Sequence, residues 1–153
     1  MSALSKTYRQ IIEIFRALAT DHMQINEFGY SISAWDLVEK DHKFPLLYLQ
    51  PTDSTINNDQ LLLNFYLVCM DLPRSDASDE MEIHSDTLQI LNDVVCLLRD
   101  GQDDYGISIV GDGINVEPFV EKKDFSGSGW VATITVEVDN AGSICDIPLT
   151  STL

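Results

Sequence analysis

The sequence predicts an α+β fold in which a mainly antiparallel sheet packs against an N-terminal helix and a central helix. Residues 2–21 and 85–100 each repeat apolar side chains at helical spacing. The other apolar segments alternate as strands do, and they follow one another without the strand-helix-strand alternation of a parallel sheet. A chain of 153 residues can bury one hydrophobic core, so we expect a single domain over residues 1–153.

The first helix is predicted over residues 2–21. Its apolar side chains recur at helical spacing, and charged side chains lie between them. These apolar residues are Leu4, Tyr8, Ile11, Ile12, Phe15 and Leu18. The next segment, residues 23–43, has no consistent period and predicts a short strand or an irregular crossing.

Two strands are predicted next, over residues 44–50 and 60–72. Pro45 and Pro51 bound the first strand, where a residue without an N–H is tolerated. Apolar residues occupy both faces of the second strand, so we expect it at the centre of the sheet. The polar residues 52–59 predict a hairpin with a long loop at its tip.

The central helix is predicted over residues 85–100. Ser85 is a suitable N-cap, and so is Asp86, because its spacing to Gln89 matches that of a capping box. Gly101 follows the last turn and is a typical helix stop. The acidic linker before the helix is expected to be exposed.

The apolar surface of the central helix is wider than one sheet face would cover. Ile90, Val94 and Leu97 widen its main stripe. That stripe consists of Leu88, Leu91, Val95 and Leu98. We therefore expect the helix to be covered on a second side, either by the N-terminal helix or by a neighbouring subunit.

Three strand segments are predicted after this helix, over residues 107–120, 129–140 and 144–148. Gly-Asp-Gly at residues 111–113 predicts a hairpin within the first segment, because glycine adopts the backbone angles of tight turns. The second segment alternates apolar and polar residues regularly. The third is expected at a sheet edge.

Glu117, Pro118 and Phe119 interrupt the first of these segments. A proline inside a strand removes a ladder hydrogen bond and forces an edge or a bulge. Phe119 is then either a core residue or an exposed interface anchor, because unpaired edges are places where partners add.

The chain is strongly acidic, with 25 acidic and 9 basic residues and a formal net charge of −16 at pH 7. Binding to nucleic acid or to an anionic membrane needs clustered Lys and Arg, so the charge disfavours both functions. The acidic residues are spread along the chain, as on a well-solvated surface.

The cysteines and the apolar runs indicate the compartment. Cys69, Cys96 and Cys145 are far apart in the sequence, so we expect free thiols in a reducing environment. No signal-peptide pattern is present, and the most apolar run, residues 61–70, is about half as long as a membrane helix. We expect a soluble protein made inside the cell, with no membrane partner.

No motif for catalysis, cofactor binding or metal binding is found in the sequence. A Gly-rich phosphate loop, a nucleophile elbow and zinc-ligand spacings are all missing. His22, His42 and His84 lie in polar turns, where solvated histidines are common. The acidic clusters lack the register of a calcium loop. We therefore predict a protein that is not an enzyme and has no cofactor or metal site.

Several short motifs between residues 44 and 147 together resemble a known family. They are Phe44-Pro45-Leu46, Met70-Asp71-Leu72, the helix SDTLQILNDVVCLL, Val116-Glu117-Pro118-Phe119, Gly129-Trp130 and Cys145. In this order and spacing they resemble the small neck or tail-completion proteins of tailed bacteriophages, including those of crAss-like and related phages. These proteins are related in role to tail terminators.

The resemblance implies a structural virion protein that forms a ring between the portal and the tail tube. Its partners would be identical copies, in six- or twelvefold symmetry, and neighbouring neck, portal or tail-tube proteins. DNA would pass through the ring without specific binding, and an acidic bore would repel its phosphates within a Debye length of about 8 Å. The protein would be in the virion, and in the host cytoplasm during assembly.

The residues expected at subunit interfaces come from the central helix and the proline-containing edge. They are Glu117, Pro118, Phe119, Ile90, Val94 and Leu97. The loops over residues 52–59 and 73–84 are expected to contact neighbours as well. The alternative function is a small acidic intracellular binding or inhibitor module that mimics nucleic acid.

Overall fold

A computed structural model describes residues 6–31, 42–72, 79–100, 106–121, 127–139 and residue 150. It confirms the predicted α+β class, with two helices and a six-stranded, mostly antiparallel sheet. The helices are α1 (Tyr8–Asp21) and α2 (Glu80–Asp100). The strands are β1 (Glu27–Tyr30), β2 (Leu46–Ile56), β3 (Gln60–Asp71), β4 (Ser108–Ile109), β5 (Asn115–Glu121) and β6 (Gly127–Asp139).

The sheet has the order β1-β2-β3-β6, and both β4 and β5 pair with the far side of β6. β1 runs parallel to β2, whereas all other pairs are antiparallel. The predicted central position of β3 is confirmed, because β2 and β6 flank it along its length. The short strand predicted within residues 23–43 is β1.

Both helices pack on one face of the sheet, which we call the inner face. Phe15 of α1 and Phe65 of β3 meet at its centre, with 5.9 Å between ring centroids. Alternate residues of β3 and β6 complete the core beneath α2, in agreement with the alternation predicted for the last long strand. They include Leu63, Leu67, Cys69, Ala132, Ile134, Val136 and Val138.

The opposite face of the sheet, the outer face, is only partly buried. Tyr66 of β3 is exposed there, whereas Leu46, Tyr48 and Met70 form a small buried cluster at one end. Both faces of β3 do carry apolar residues, as predicted, but the described helices cover only one of these faces.

The hairpin between β2 and β3 is confirmed, but its predicted long loop is wrong. β2 continues to Ile56, and only residues 57–59 turn the chain. A register shift between Pro51 and Ser54 places an extra residue in β2, which hides the alternation. The Thr52 hydroxyl donates to the Asn64 carbonyl oxygen at 3.1 Å and holds the irregular part to β3.

The central helix begins five residues earlier than predicted, at Glu80, so Ser85 and Asp86 lie inside it and not at its N-cap. Glu80 and Glu82 occupy the first turn, where negative charge is favourable at the positive end of the helix dipole. Ile83 extends the buried stripe into that turn. Part of the predicted exposed linker is therefore helical.

The Gly-Asp-Gly segment does not form the predicted hairpin. β4 pairs with Val136 and Glu137 of β6, and β5 pairs with residues 127–133 of the same strand. The chain from β4 to β5 therefore runs along one edge of β6, and the residues between them bulge outward. Glycine permits this detour because Gly111 has a positive φ of 89°.

The N-terminal helix begins at Tyr8 because Thr7 caps it. The Thr7 hydroxyl accepts from the Gln10 N–H at 3.2 Å, and the Gln10 side chain accepts from the Thr7 N–H at 2.8 Å. Of the predicted helix, residues 2–5 lie outside the described residues. So do the predicted strand 144–148 and residues 73–78 of the acidic linker.

Gly129 permits a close approach between β3 and β6. A Cβ atom at this position would lie 1.9 Å from the Cys69 carbonyl oxygen, so no larger residue fits without moving the strands. None of the described helices combines the length and the apolar character needed to cross a membrane.

Candidate interaction surfaces

The predicted interface residues of the central helix are partly buried in the core and partly exposed. Ile90 and Val94 are 1% and 0% exposed and lie in the core beneath α2, so their assignment to an interface is wrong. They widen the apolar stripe because the helix packs across two neighbouring strands, β3 and β6. Leu97 is 45% exposed and remains available to a partner.

The second cover of the central helix is in part the end of α1. Nε2 of His22 lies 2.9 Å from Oδ2 of Asp93, and the Gln89 amide donates to the other oxygen of Asp93 at 2.9 Å. The hydrogen bond from His22 holds the pKa of Asp93 below its ordinary value. His22, which we expected to be solvated, is therefore a mostly buried link between the helices.

His84 links the first half of α2 to the start of β6. Its Nε2 lies 2.9 Å from the hydroxyl oxygen of Ser128, and its carbonyl oxygen accepts from the Trp130 indole N–H at 2.8 Å. A Ser–His pair is a feature of hydrolases. Ser128 is 0% exposed, so its hydroxyl cannot meet a substrate, and the pair anchors the helix to the sheet.

His42 contacts the carboxylate of Glu27 through Nδ1, next to the start of β1. Its Nε2 is buried and has no hydrogen-bond partner among the described residues. A carboxylate–histidine pair with a free nitrogen can support a metal ion, but a metal site needs further ligands. The described residues contain no group of three or more side chains able to hold one.

The cysteines differ in accessibility. Burial raises the pKa of Cys69 to about 12, and Asp71 adds a smaller electrostatic contribution in the same direction. This thiol is therefore unreactive. Cys96 is exposed on α2, while Cys145 lies outside the described residues.

The proline-containing segment forms the edge strand β5. Glu117 and Pro118 are exposed, opposite Val131 and Trp130 of β6. The backbone of Phe119 pairs with that of Gly129, and its side chain lies outside the described residues. Among the described strands, β5 has a neighbour on one side only, as the sequence predicts for a strand containing proline.

A shallow groove of about 170 Å³ lies between α2 and β5. Its apolar lining consists of Leu88, Leu91, Val95, Ile114 and Val116. Asn92 and Arg99 are at its rim, and Arg99 donates to the carbonyl oxygens of Gly111 and Asp112 at 3.2 and 2.9 Å. These bonds hold the bulge between β4 and β5 against the helix, which shapes the groove.

The outer face of the sheet is acidic. None of the six described strands contains a lysine or an arginine, and the described basic residues lie in or beside the helices and in the segment before β2. Strand pairing and hydrogen bonding place Asp53, Glu117, Glu137 and Asp139 on the outer face. The Gln60 amide donates to Glu137 at 2.5 Å, and the Asn64 amide donates to Asp53 at 3.0 Å. The described strands therefore carry acidic and no basic side chains, whereas the two helices carry both kinds.

The sequence matches no family model and no curated protein.

Proposed function

We propose that this protein is a structural component of a tailed bacteriophage virion, forming a ring in the neck or tail through which DNA passes. The observation that carries the proposal is the acidic outer face, which has no lysine or arginine in its described strands. With that face toward the bore, like charges repel the DNA phosphates and keep the passage free of binding.

The positions of the family-like motifs support the proposal. Phe44-Pro45-Leu46 leads into β2, and Met70-Asp71-Leu72 follows at the end of β3. The Glu-Pro-Phe block lies in β5, and Gly129-Trp130 lies in β6. The motifs are far apart in sequence, but they fall on four neighbouring strands of one sheet.

A ring of identical copies needs two different surfaces on opposite sides of each subunit. The β1–β2 side and the β5 side are the two flanks of the described sheet, and no further described strand pairs with either. Among the predicted interface residues whose side chains are described, Leu97, Glu117 and Pro118 are exposed. Neighbouring neck, portal or tail-tube proteins would stack above and below the ring, which would have six- or twelvefold symmetry.

Mass spectrometry of purified phage particles tests this proposal. We expect the protein among the virion proteins in a copy number that is a multiple of six, and image reconstruction should place it in the neck or tail with the outer face lining the channel. Particles without the protein, or a reconstruction in which the carboxylates of the outer face point away from the channel, would refute the proposal.

The alternative is an acidic module that mimics nucleic acid. The same outer face favours it, because spaced carboxylates on a sheet can occupy a basic nucleic-acid-binding surface. In that case, the protein would be recovered from infected cells in a soluble complex with a basic protein, and it would be missing from the particle.

A further inference from the structure

We propose that the tip of the β2–β3 hairpin docks into the α2–β5 groove of a second copy of this chain and joins the copies head to tail. This inference rests on the proposed function, because the contact it describes is the one between neighbouring subunits of the ring. Hairpin tip here means residues 52–59.

The hairpin tip presents an apolar side chain that its own chain leaves uncovered. Ile56, the last residue of β2, is 78% exposed. It lies opposite Leu61 and therefore on the inner face, beyond the reach of the described helices. Past Leu49, β2 has no described strand on its second side. The exposed Ile56 side chain can therefore contact another molecule.

The groove is suitable for such a side chain. Its volume of about 170 Å³ is similar to the roughly 150 Å³ apolar cavity that accepts a benzene molecule. Its lining is aliphatic, so a branched side chain such as that of Ile56 can fill it and exclude water. Both the groove and Ile56 are on the inner face of the sheet.

The groove rim carries a cation, Arg99, and the hairpin tip carries acidic side chains. Residues 52–59 include Asp59, three residues after Ile56, and no basic residue. Arg99 at the groove rim donates to two backbone carbonyl oxygens through one nitrogen, so the other guanidinium donors can bind an acid. Among the described residues, no carboxylate lies within ion-pair distance of Arg99.

The positions of tip and groove exclude docking within one chain and fit a ring. β3 and β6 separate β2 from β5, so three strand spacings, about 14 Å, lie between the two flanks. Contact between different surfaces on opposite flanks is heterologous and leads to closed rings or to open filaments. A twofold arrangement in which each tip enters the groove of the other copy would stop at dimers, so the size of the products distinguishes the two arrangements.

Cysteine cross-linking tests the contact. Cys96 is exposed, one helical turn from both Asn92 and Arg99, and so lies beside the groove. Asn57→Cys adds a thiol next to Ile56, in a Cys145→Ser background where Cys69 is too buried to react. With a short bismaleimide, we expect cross-linked dimers, trimers and larger species. Mixing an N57C/C96S chain with a chain that has Cys96 and Asn57 should restrict the product to mixed dimers.

Two sets of variants test the chemistry of docking. Ile56→Asp should lower the cross-linked fraction about tenfold or more, because an unpaired carboxylate is unfavourable in an apolar groove. Asp59→Lys should reduce cross-linking because it brings a second cation to Arg99, and Asp59→Asn should reduce it less because it removes the attraction without adding repulsion. Thr133→Cys in place of N57C is the matched control, since its thiol lies on the outer face and should give no specific product.

Cross-linking that is absent at high protein concentration, or that is unchanged by I56D, would overturn the inference. Products limited to dimers would also overturn it. The test is independent of the particle analysis. If the protein is in the virion but gives no tip-to-groove products, the proposed function stands and this contact is rejected. If it gives these products but is not in the virion, the contact stands and the proposed function is rejected.

Discussion

His22 and Asp93, 71 positions apart in the sequence, connect the end of α1 to the middle of α2. The backbone N–H of Gln24 donates to Nδ1 of His22 at 3.1 Å, so that nitrogen is an acceptor. The ring proton is therefore on Nε2, which donates to Asp93 at 2.9 Å. One imidazole thus fixes both the turn after α1 and the packing of the two helices.

Asp93→Ala should lower the free energy of unfolding by about 0.5–1 kcal/mol at pH 7, a small effect because the carboxylate is partly exposed. The pKa of Asp93 is lowered below its ordinary 3.8 in the folded state. Its contribution is therefore present above pH 3.8 and disappears as the pH falls through the folded-state value. Urea unfolding of D93A and wild type from pH 7 to pH 2 measures the difference. In a H22A background, the D93A effect should be smaller; an equal effect would reject the coupling.

Asp71→Asn should raise the free energy of unfolding at pH 7 by about 0.5–1 kcal/mol. Burial raises the pKa of Asp71, and repulsion from Asp79 and Asp86 adds to the shift. Asparagine removes the charge and keeps an acceptor for the Leu72 N–H. The gain should fade as the pH falls and vanish below 3.8, where Asp71 is protonated in both the folded and the unfolded state. A destabilised D71N protein at pH 7 would contradict the prediction.

Gly129→Ala should destabilise the protein by about 3 kcal/mol or more, because the new methyl group would lie 1.9 Å from the Cys69 carbonyl oxygen. Thermal unfolding measures the loss. Gly113→Ala is the matched control, since no atom lies within 4 Å of a Cβ there, and its effect should stay within about 0.5 kcal/mol. Equal melting temperatures for the two variants would show that β3 and β6 are not so close.

Ile90→Ala and Leu97→Ala separate core from interface on α2. Ile90 is buried in one chain, so its truncation should cost about 2–5 kcal/mol of unfolding free energy. Leu97 is exposed, so its truncation should change the stability of the monomer by less than about 0.5 kcal/mol. Sedimentation of the Leu97→Ala variant then tests whether Leu97 contributes to association, because this variant stays folded. The Ile90→Ala variant cannot report on association separately from its loss of stability.

Charge reversal on the outer face tests its proposed role in the DNA passage. Glu117→Lys with Asp139→Lys changes that face from acidic to mixed, and phosphates should then bind to it. We expect slower genome ejection from particles that carry the double variant. The control is Glu13→Lys with Asp100→Lys, which makes the same change in charge on the helices. Equal ejection rates for the two would reject the role of the outer face.

Helices and strands whose apolar residues repeat regularly are correctly predicted from the sequence. The residues at which they begin and end are not. β6 follows its alternation closely because one face is buried and the other is not. α2 begins earlier than Ser85 because burial of Ile83 continues the helix past the apparent caps. The glycines at 111–113 predict a hairpin turn. The strands before and after this segment, β4 and β5, instead both pair with β6 and not with each other.

The candidate surfaces are less visible in the sequence. The lack of lysine and arginine in the strands can be read from the sequence once the strands are known. The groove cannot be predicted, because its two walls come from α2 and β5 and meet only through folding. Ile56 was missed because it was assigned to a polar loop, although the turn residues Asn57, Asn58 and Asp59 could have marked a shorter turn with Ile56 at the end of the strand.

The central strand of the sheet receives its second neighbour late in synthesis. β3 ends at Asp71, and the chain must be made as far as Asp139 before β6 can pair along its whole length. At ribosomal rates this interval is on the order of 3 to 14 seconds, and during it the hairpin exposes an apolar face and an open edge. The nascent chain is therefore expected to need chaperone protection over this interval, and a slow-translating stretch between the two strands would favour aggregation over assembly.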